Sequence, residues 1–191
     1  MKDTIELIEI RWHGRGGQGA VTSAELLARA AIEEGMFAQA FPAFGAERRG
    51  APVLAFNRIS SIKPIRVRAE VAEPDVVVVL DSSLLSIINV TSGLKEGGTL
   101  IINTKKQISE IAAEYGNKWR LAIIDGTTIA QELLKVKIVN TTMLGALLKA
   151  VQVVKNDSLI EPLNHRFGRL AERNINAMNK AFEETVIKEN G

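Results

Sequence analysis

Ile10-Arg11-Trp12-His13-Gly14-Arg15-Gly16-Gly17-Gln18-Gly19-Ala20 is the stretch on which the fold turns. A β-type run over 5–12 leads into it, and a helix-type run over 21–34 leads out. Glycines at 14, 16 and 19 have the G-x-G-x-x-G spacing. That spacing lets a chain turn sharply off a strand, present bare N–H groups to an anion and aim a helix N-terminus at it. Strand, glycine loop and helix in that order predict the opening of a βαβ element. Ala20, Ala24, Ala28 and Ala31 recur at helical spacing, so this helix is expected to lie close on a sheet.

Working outward, a second strand is predicted over 37–41, stopped by Pro42, and residues 43–52 read as a loop. Residues 53–59 and 65–68 are β-rich and joined by a turn signal at 60–64. They are read as an antiparallel hairpin, inserted in or attached to the edge of a parallel sheet. The run Val76-Val77-Val78-Val79-Leu80 has the continuous apolar character of a strand buried on both faces. A short helix over 82–90 follows, then strands over 99–102 and 120–124 and helices over 108–115 and 127–136. The last third is predicted helical, over 141–154, 158–167 and 170–188. One α/β domain spanning 1–191, with a mostly parallel sheet, is expected.

Twenty-four basic and 22 acidic residues leave a net charge of +2, so bulk electrostatics call for neither nucleic acid nor an anionic membrane. Cysteine is absent, which removes thiol nucleophiles, zinc–thiolate sites and cysteine ligation of an iron–sulfur cluster by this chain. The two histidines are far apart in sequence. No apolar signal region opens the chain, and no apolar run approaches the roughly 20 residues of a membrane span. A cytoplasmic protein is expected.

Asp81, Asn103 and Asp125 each follow a predicted strand. In a parallel sheet they share the carboxyl edge with the glycine loop, where open α/β folds place ligands. The structural reading of both aspartates is helix N-capping, and Asn140-Thr141-Thr142 opens the next helix in the same way. A nicotinamide site wants an acidic residue about 20 residues past the glycines. Here that region reads Gln39-Ala40-Phe41-Pro42-Ala43-Phe44, which counts against NAD. Arg48 and Arg49 suit forked binding of a phosphate or carboxylate, or pairing with a partner protein. His13 is expected to be packed and hydrogen-bonded, His165 solvated, and Trp12 and Phe167 in core or interface. No catalytic residue and no metal ligand is assigned.

Three segments together carry a resemblance: residues 10–20 quoted above, then Phe41-Pro42-Ala43-Phe44-Gly45-Ala46-Glu47-Arg48-Arg49-Gly50-Ala51-Pro52, then Asn140-Thr141-Thr142-Met143-Leu144-Gly145-Ala146. The chain resembles the gamma subunit of the 2-oxoacid:ferredoxin oxidoreductases, within them the pyruvate synthase branch. The resemblance implies a Rossmann-like three-layer fold and a multi-subunit enzyme. That enzyme decarboxylates a 2-oxoacid on thiamine diphosphate with magnesium, passes electrons through iron–sulfur clusters to ferredoxin, and transfers the acyl group to coenzyme A. It further implies alpha, beta and delta subunits that hold thiamine and clusters, with this chain binding no cofactor alone. For coenzyme A, Gly14, Gly16, Gly17, Gln18 and Gly19 offer backbone donors, Arg15, Arg48 and Arg49 cations, and Asn140 and Thr141 a helix start. The alternative use of the same residues is packing against other subunits. Two other functions stay open, a stand-alone NAD(P)-binding oxidoreductase and a non-catalytic nucleotide-binding module.

Overall fold

The computed structural model describes residues 4–43 and 50–191. Seven strands form one sheet in the order β2-β3-β1-β4-β5-β6-β7. They are β1 (Ile8–Arg15), β2 (Phe37–Pro42), β3 (Pro52–Ser60), β4 (Val76–Val79), β5 (Thr99–Asn103), β6 (Arg120–Ile124) and β7 (Val186–Lys188). Helices are α1 (Ala20–Glu33), α2 (Ile108–Tyr115), α3 (Gly126–Leu134), α4 (Asn140–Ala150), α5 (Ile160–Phe167) and α6 (Ala171–Glu184). Strands β1, β4, β5 and β6 run parallel, β3 is antiparallel to both its neighbours, and β7 is antiparallel to β6.

Alternation along the strands builds two cores. Ile10, Trp12, Val76, Val78, Ile101 and Ala122 face one side and meet α1, α3, α4 and α6. Val77, Val79, Leu100, Ile102, Leu121 and Ile123 face the other and meet Leu84, Val90, Leu94 and α2. The sheet is therefore sandwiched, with a thick helical layer and a thin one. The alanine face of α1 is buried, as its spacing predicts. Trp12 is wholly enclosed, and its Nε1 donates to Asn57 Oδ1 at 2.8 Å. Asn57 Nδ2 in turn donates to Ala24 O and Gln39 O, tying β3 to α1 and β2.

Four expectations are corrected. The hairpin partner of β3 is β2, in register from Phe37↔Ser60 to Pro42↔Ala55, not residues 65–68. Residues 64–68 form no ladder, and two of their carbonyls serve side chains instead: Gln39 Nε2 donates to Ile65 O, and Arg58 Nη1 to Val67 O. The helix expected to run to 188 ends at Glu184, and the β-branched Val186-Ile187 pair continues as β7. The first strand extends past Trp12 to Arg15, since Gly14 and Arg15 pair with Val53 and Pro52. The expected helix over 82–90 is a single 3-10 turn, Ser82–Ser86. Among the described residues no helix is long and apolar enough to cross a membrane.

Candidate functional site: the carboxyl edge around the glycine loop

The loop between β1 and α1 is closed by its own chain. Gly16 N–H donates to Ala51 O at 2.9 Å and Gln18 N–H to Arg15 O at 3.0 Å. Gln18 Oε1 accepts from Arg15 N–H at 2.8 Å, and its Nε2 donates to Asp81 Oδ2 at 2.8 Å. Arg15 Nε reaches the same Asp81 oxygen at 3.2 Å, Nη2 donates to Ser83 Oγ at 2.8 Å, and Nη1 to Gly50 O at 3.1 Å. Asp81 thus gathers the loop while capping the following 3-10 turn through Ser83 N–H. Burial works to raise the Asp81 pKa, but hydrogen bonds from Ser83 and Gln18 and the charge of Arg15 outweigh it and hold the carboxyl below its ordinary value.

The glycines differ in what they face. Gly19 has φ 88°, and a Cβ there falls 2.8 Å from Asn140 Cβ, so the loop and the start of α4 touch backbone to side chain. Gly17 has φ 94°, and a Cβ there meets nothing within 4 Å. Gly14 sits against Ala20, with 3.2 Å from its Cβ position to Ala20 Cβ. Only glycine adopts these two positive-φ positions at low cost.

Beside the loop, over β4, β5 and β6, lies a cleft of about 700 Å³ lined by Gln18, Asp81, Asn103, Lys106, Asp125 and Lys137 among others. Its polar groups brace one another. Asn103 Nδ2 donates to Leu80 O and Thr127 Oγ1, both at 2.8 Å. Asp125 caps α3 through Thr128 N–H at 3.0 Å and lies 3.7 Å from Lys105 Nζ. The N-capping expectation holds for both aspartates.

The sequence-predicted site residues divide. Gly14, Arg15, Gly16, Gly17, Gln18, Gly19 and Asn140 come together at this edge. Thr141 is wholly buried and donates to Asn174 Oδ1 at 3.1 Å, so here it braces α4 against α6. Arg48 and Arg49 lie outside the described residues. His13 is buried, as expected: its Nε2 accepts from Arg11 Nε at 3.1 Å. Burial and then the Arg11 charge push it down to about 3, so it is neutral at physiological pH. His165 is exposed, and Phe167 is half-buried on an apolar groove.

Sequence reading missed two things here. One is Asp81 as the organiser of the loop. Its signal was faint, a polar residue directly after a buried strand, already explained by capping. The other is the interposition of β3. A dinucleotide fold places β2 beside β1, with the ribose carboxylate at its end. Here antiparallel β3 occupies that place and β2 is the outer strand.

Chemically, the described residues build a braced surface. Among them no group of three His, Asp or Glu side chains converges as a metal site would require. Of the three carboxylates that line the cleft, Asp81 and Asp125 are committed to capping and Glu114 is paired with Lys106, so the arrangement suits recognition and packing.

The profile of the pyruvate ferredoxin/flavodoxin oxidoreductase family matches residues 9–184. The "pyruvate/ketoisovalerate oxidoreductases common subunit gamma" of Thermococcus litoralis is 54% identical over 185 residues, covering 96% of this chain and all of that protein. Pyruvate synthase subunit PorC of Methanothermobacter thermautotrophicus is 49% identical over 179 residues, covering 93% of this chain and 96% of that one. The crystal structure of pyruvate oxidoreductase subunit PORC from Thermotoga maritima superposes with a TM-score of 0.84 at 38% identity, covering 96% of this chain and 99% of that chain. With family profile, full-length relatives and fold in agreement, the chain belongs to the pyruvate ferredoxin/flavodoxin oxidoreductase family, among its gamma subunits.

Proposed function

We propose that this chain works as the gamma subunit of a cytoplasmic 2-oxoacid:ferredoxin oxidoreductase, with pyruvate as a substrate, and that it acts as a single folded unit which scaffolds the complex. The observation that carries this reading is 54% identity, over the whole length of the relative, to a gamma subunit. Alpha, beta and delta subunits would then hold thiamine diphosphate, magnesium and the iron–sulfur clusters, and ferredoxin would take the electrons. A chain without cysteine fits that division, since cluster ligation needs thiolates. The Thermococcus protein is a subunit common to two oxidoreductases. That favours placing the choice of oxoacid outside this chain.

Within the complex, Arg15, Gly16, Gly17, Gln18 and Gly19 mark the face offered to a neighbour or to coenzyme A, with Gly14, Asn140 and Thr141 buried behind it, and Arg48 and Arg49 are proposed to serve the same contact. Two observations favour packing. The amides of Gly16 and Gln18 are already paired, and the Arg15 guanidinium is already paired with the Asp81 carboxylate. The residues present therefore fit half of a phosphate cradle, and no acyl-transfer step is assigned to them. Gly17, open on its outer side, is the point where a neighbouring backbone can come close.

Reconstitution tests the reading. Partner subunits of the same source, assembled with and without this chain, are assayed for pyruvate- and coenzyme A-dependent ferredoxin reduction. Activity is expected only when the chain is present. Turnover by the lone chain, or an equally active complex lacking it, overturns the proposal. Gly17→Val then separates the two roles of the loop: loss of assembly supports packing, and intact assembly with a raised KM for coenzyme A supports the ligand role.

A further inference from the structure

On the far side of Asn140 from the glycine loop, the joint between α3, α5 and α6 leaves an apolar groove of about 240 Å³. Leu134, Val136, Ile138, Phe167 and Leu170 line it. Three of them are markedly exposed: Val136 45%, Ile138 41% and Leu170 55%. They result from local construction. α3 stops at Lys135, which takes φ 61°, the single positive value outside glycine among the described residues. The chain Leu134-Lys135-Val136-Lys137-Ile138 then alternates apolar and basic residues along the groove. The second wall, His165-Arg166-Phe167-Gly168-Arg169-Leu170-Ala171-Glu172-Arg173, repeats that mixture.

The rim is basic. Arg173 lines the groove, and Lys135, Arg166 and Arg169 are exposed on the two wall segments beside it, against Glu172 as the acid of the second wall. Among the described residues none of these four cations stands in an ion pair. Glu132, the acid of α3, is committed to Lys180 at 3.0 Å. A concave apolar floor with an unpaired cationic rim is complementary to an apolar side chain flanked by carboxylates. A second copy of this chain would bring like charge to the same place, which disfavours self-pairing.

We propose that this groove seats a segment of a neighbouring subunit in which one or two large apolar side chains are flanked by aspartate or glutamate. The proposal rests on the reading of the chain as part of a multi-subunit complex, and it assigns to that complex a contact distinct from the glycine loop. The apolar anchors supply the attraction, and the cationic rim sets orientation and association rate.

The test uses the complex assembled by co-expression, with the chain carrying Lys135→Glu, Arg169→Glu and Arg173→Glu together. A second variant is Leu170→Ser, and a control carries Arg66→Glu and Arg68→Glu, exposed cations elsewhere. Affinity for the partner subunits is expected to fall at least about tenfold for the triple reversal, to fall also for Leu170→Ser, and to hold for the control. Wild-type association is expected to weaken as salt rises from 50 to 500 mM, on the order of the screening expected for exposed charge. Wild-type affinity in the triple reversal, or indifference to salt, overturns the groove assignment while leaving the gamma-subunit reading intact. A wild-type chain that assembles with no oxidoreductase subunit sinks that reading and the groove with it. Self-association of the isolated chain that the triple reversal abolishes would assign the groove to a second copy and overturn the proposal.

Discussion

The carboxyl edge has two halves that meet where Gly19 touches Asn140, and they treat charge in opposite ways. Over β4, β5 and β6, Asp81 is met by Arg15, Asp125 by Lys105 and Glu114 by Lys106, all within this chain. Across the seam, the cations of the groove have no such partners among the described residues. In the first half the carboxylates are met when the chain folds. The second is left for assembly to complete. Bulk composition hides this contrast, since a net charge of +2 averages a neutralised face with a cationic one.

Substitutions can break that contrast, beginning with the scaffold under the groove. A Cβ at Gly145 would lie 2.1 Å from Met178 O and 3.0 Å from Phe182 N, across the α4–α6 contact. Gly145→Val should cost about 3 kcal/mol or more, read as a lowered midpoint in urea unfolding. A cost under about 1 kcal/mol would mean the two helices are farther apart than described.

The seam comes next. Gly19→Ala combines positive φ with the 2.8 Å approach to Asn140 Cβ, and should cost about 2 kcal/mol. Gly17→Ala shares the positive φ but meets open space, so its cost should be about 1 kcal/mol. Equal losses in thermal melts would show that the seam is not tight.

The smallest effects distinguish the charges themselves. Asp81→Asn should destabilise the isolated chain by about 1 kcal/mol at neutral pH, as it weakens the contacts to Arg15 and Gln18. The folded-state pKa of Asp81 is depressed, so its contribution is present above the ordinary value of 3.8 and is lost as pH falls through the folded value. The gap between wild type and variant should therefore persist down to that region and close below it. Lys135→Gln with Arg169→Gln, by contrast, should stay within about 0.5 kcal/mol of wild type. A destabilisation as large as that of Asp81→Asn would show the groove cations to be paired after all.

The fold was legible where local chemistry and tertiary burial agree. The run from Val76 to Val79 is a strand because both faces are covered, and Asp81, just past Leu80, caps the next turn. Residues 65–68 misled for the opposite reason. Their β-branched and arginine alternation suits a strand, yet Gln39 and Arg58 take carbonyls there that a ladder would need. Val186–Lys188 was hidden by the strong helical pattern ahead of it. At the site, the glycine loop announced itself, whereas its partners Asp81, Gly50 and Asn140 are 66, 35 and about 120 residues from Arg15 or Gly19, and only the fold brings them in. The groove needed three helices to be assembled before its walls could be recognised.

The sealed indole of Trp12, with its nitrogen bound to Asn57 and no surface left to solvent, has an optical consequence. Its emission should lie to the blue in the native chain and move to longer wavelength only when the sheet parts from α1. Trp119 is half-buried at the start of β6, with Lys118 Nζ 5.1 Å from its ring centre, and samples the opposite core. Each layer of the sandwich thus carries its own intrinsic fluorophore, and replacing one by Phe would let the opening of the other layer be followed without a label.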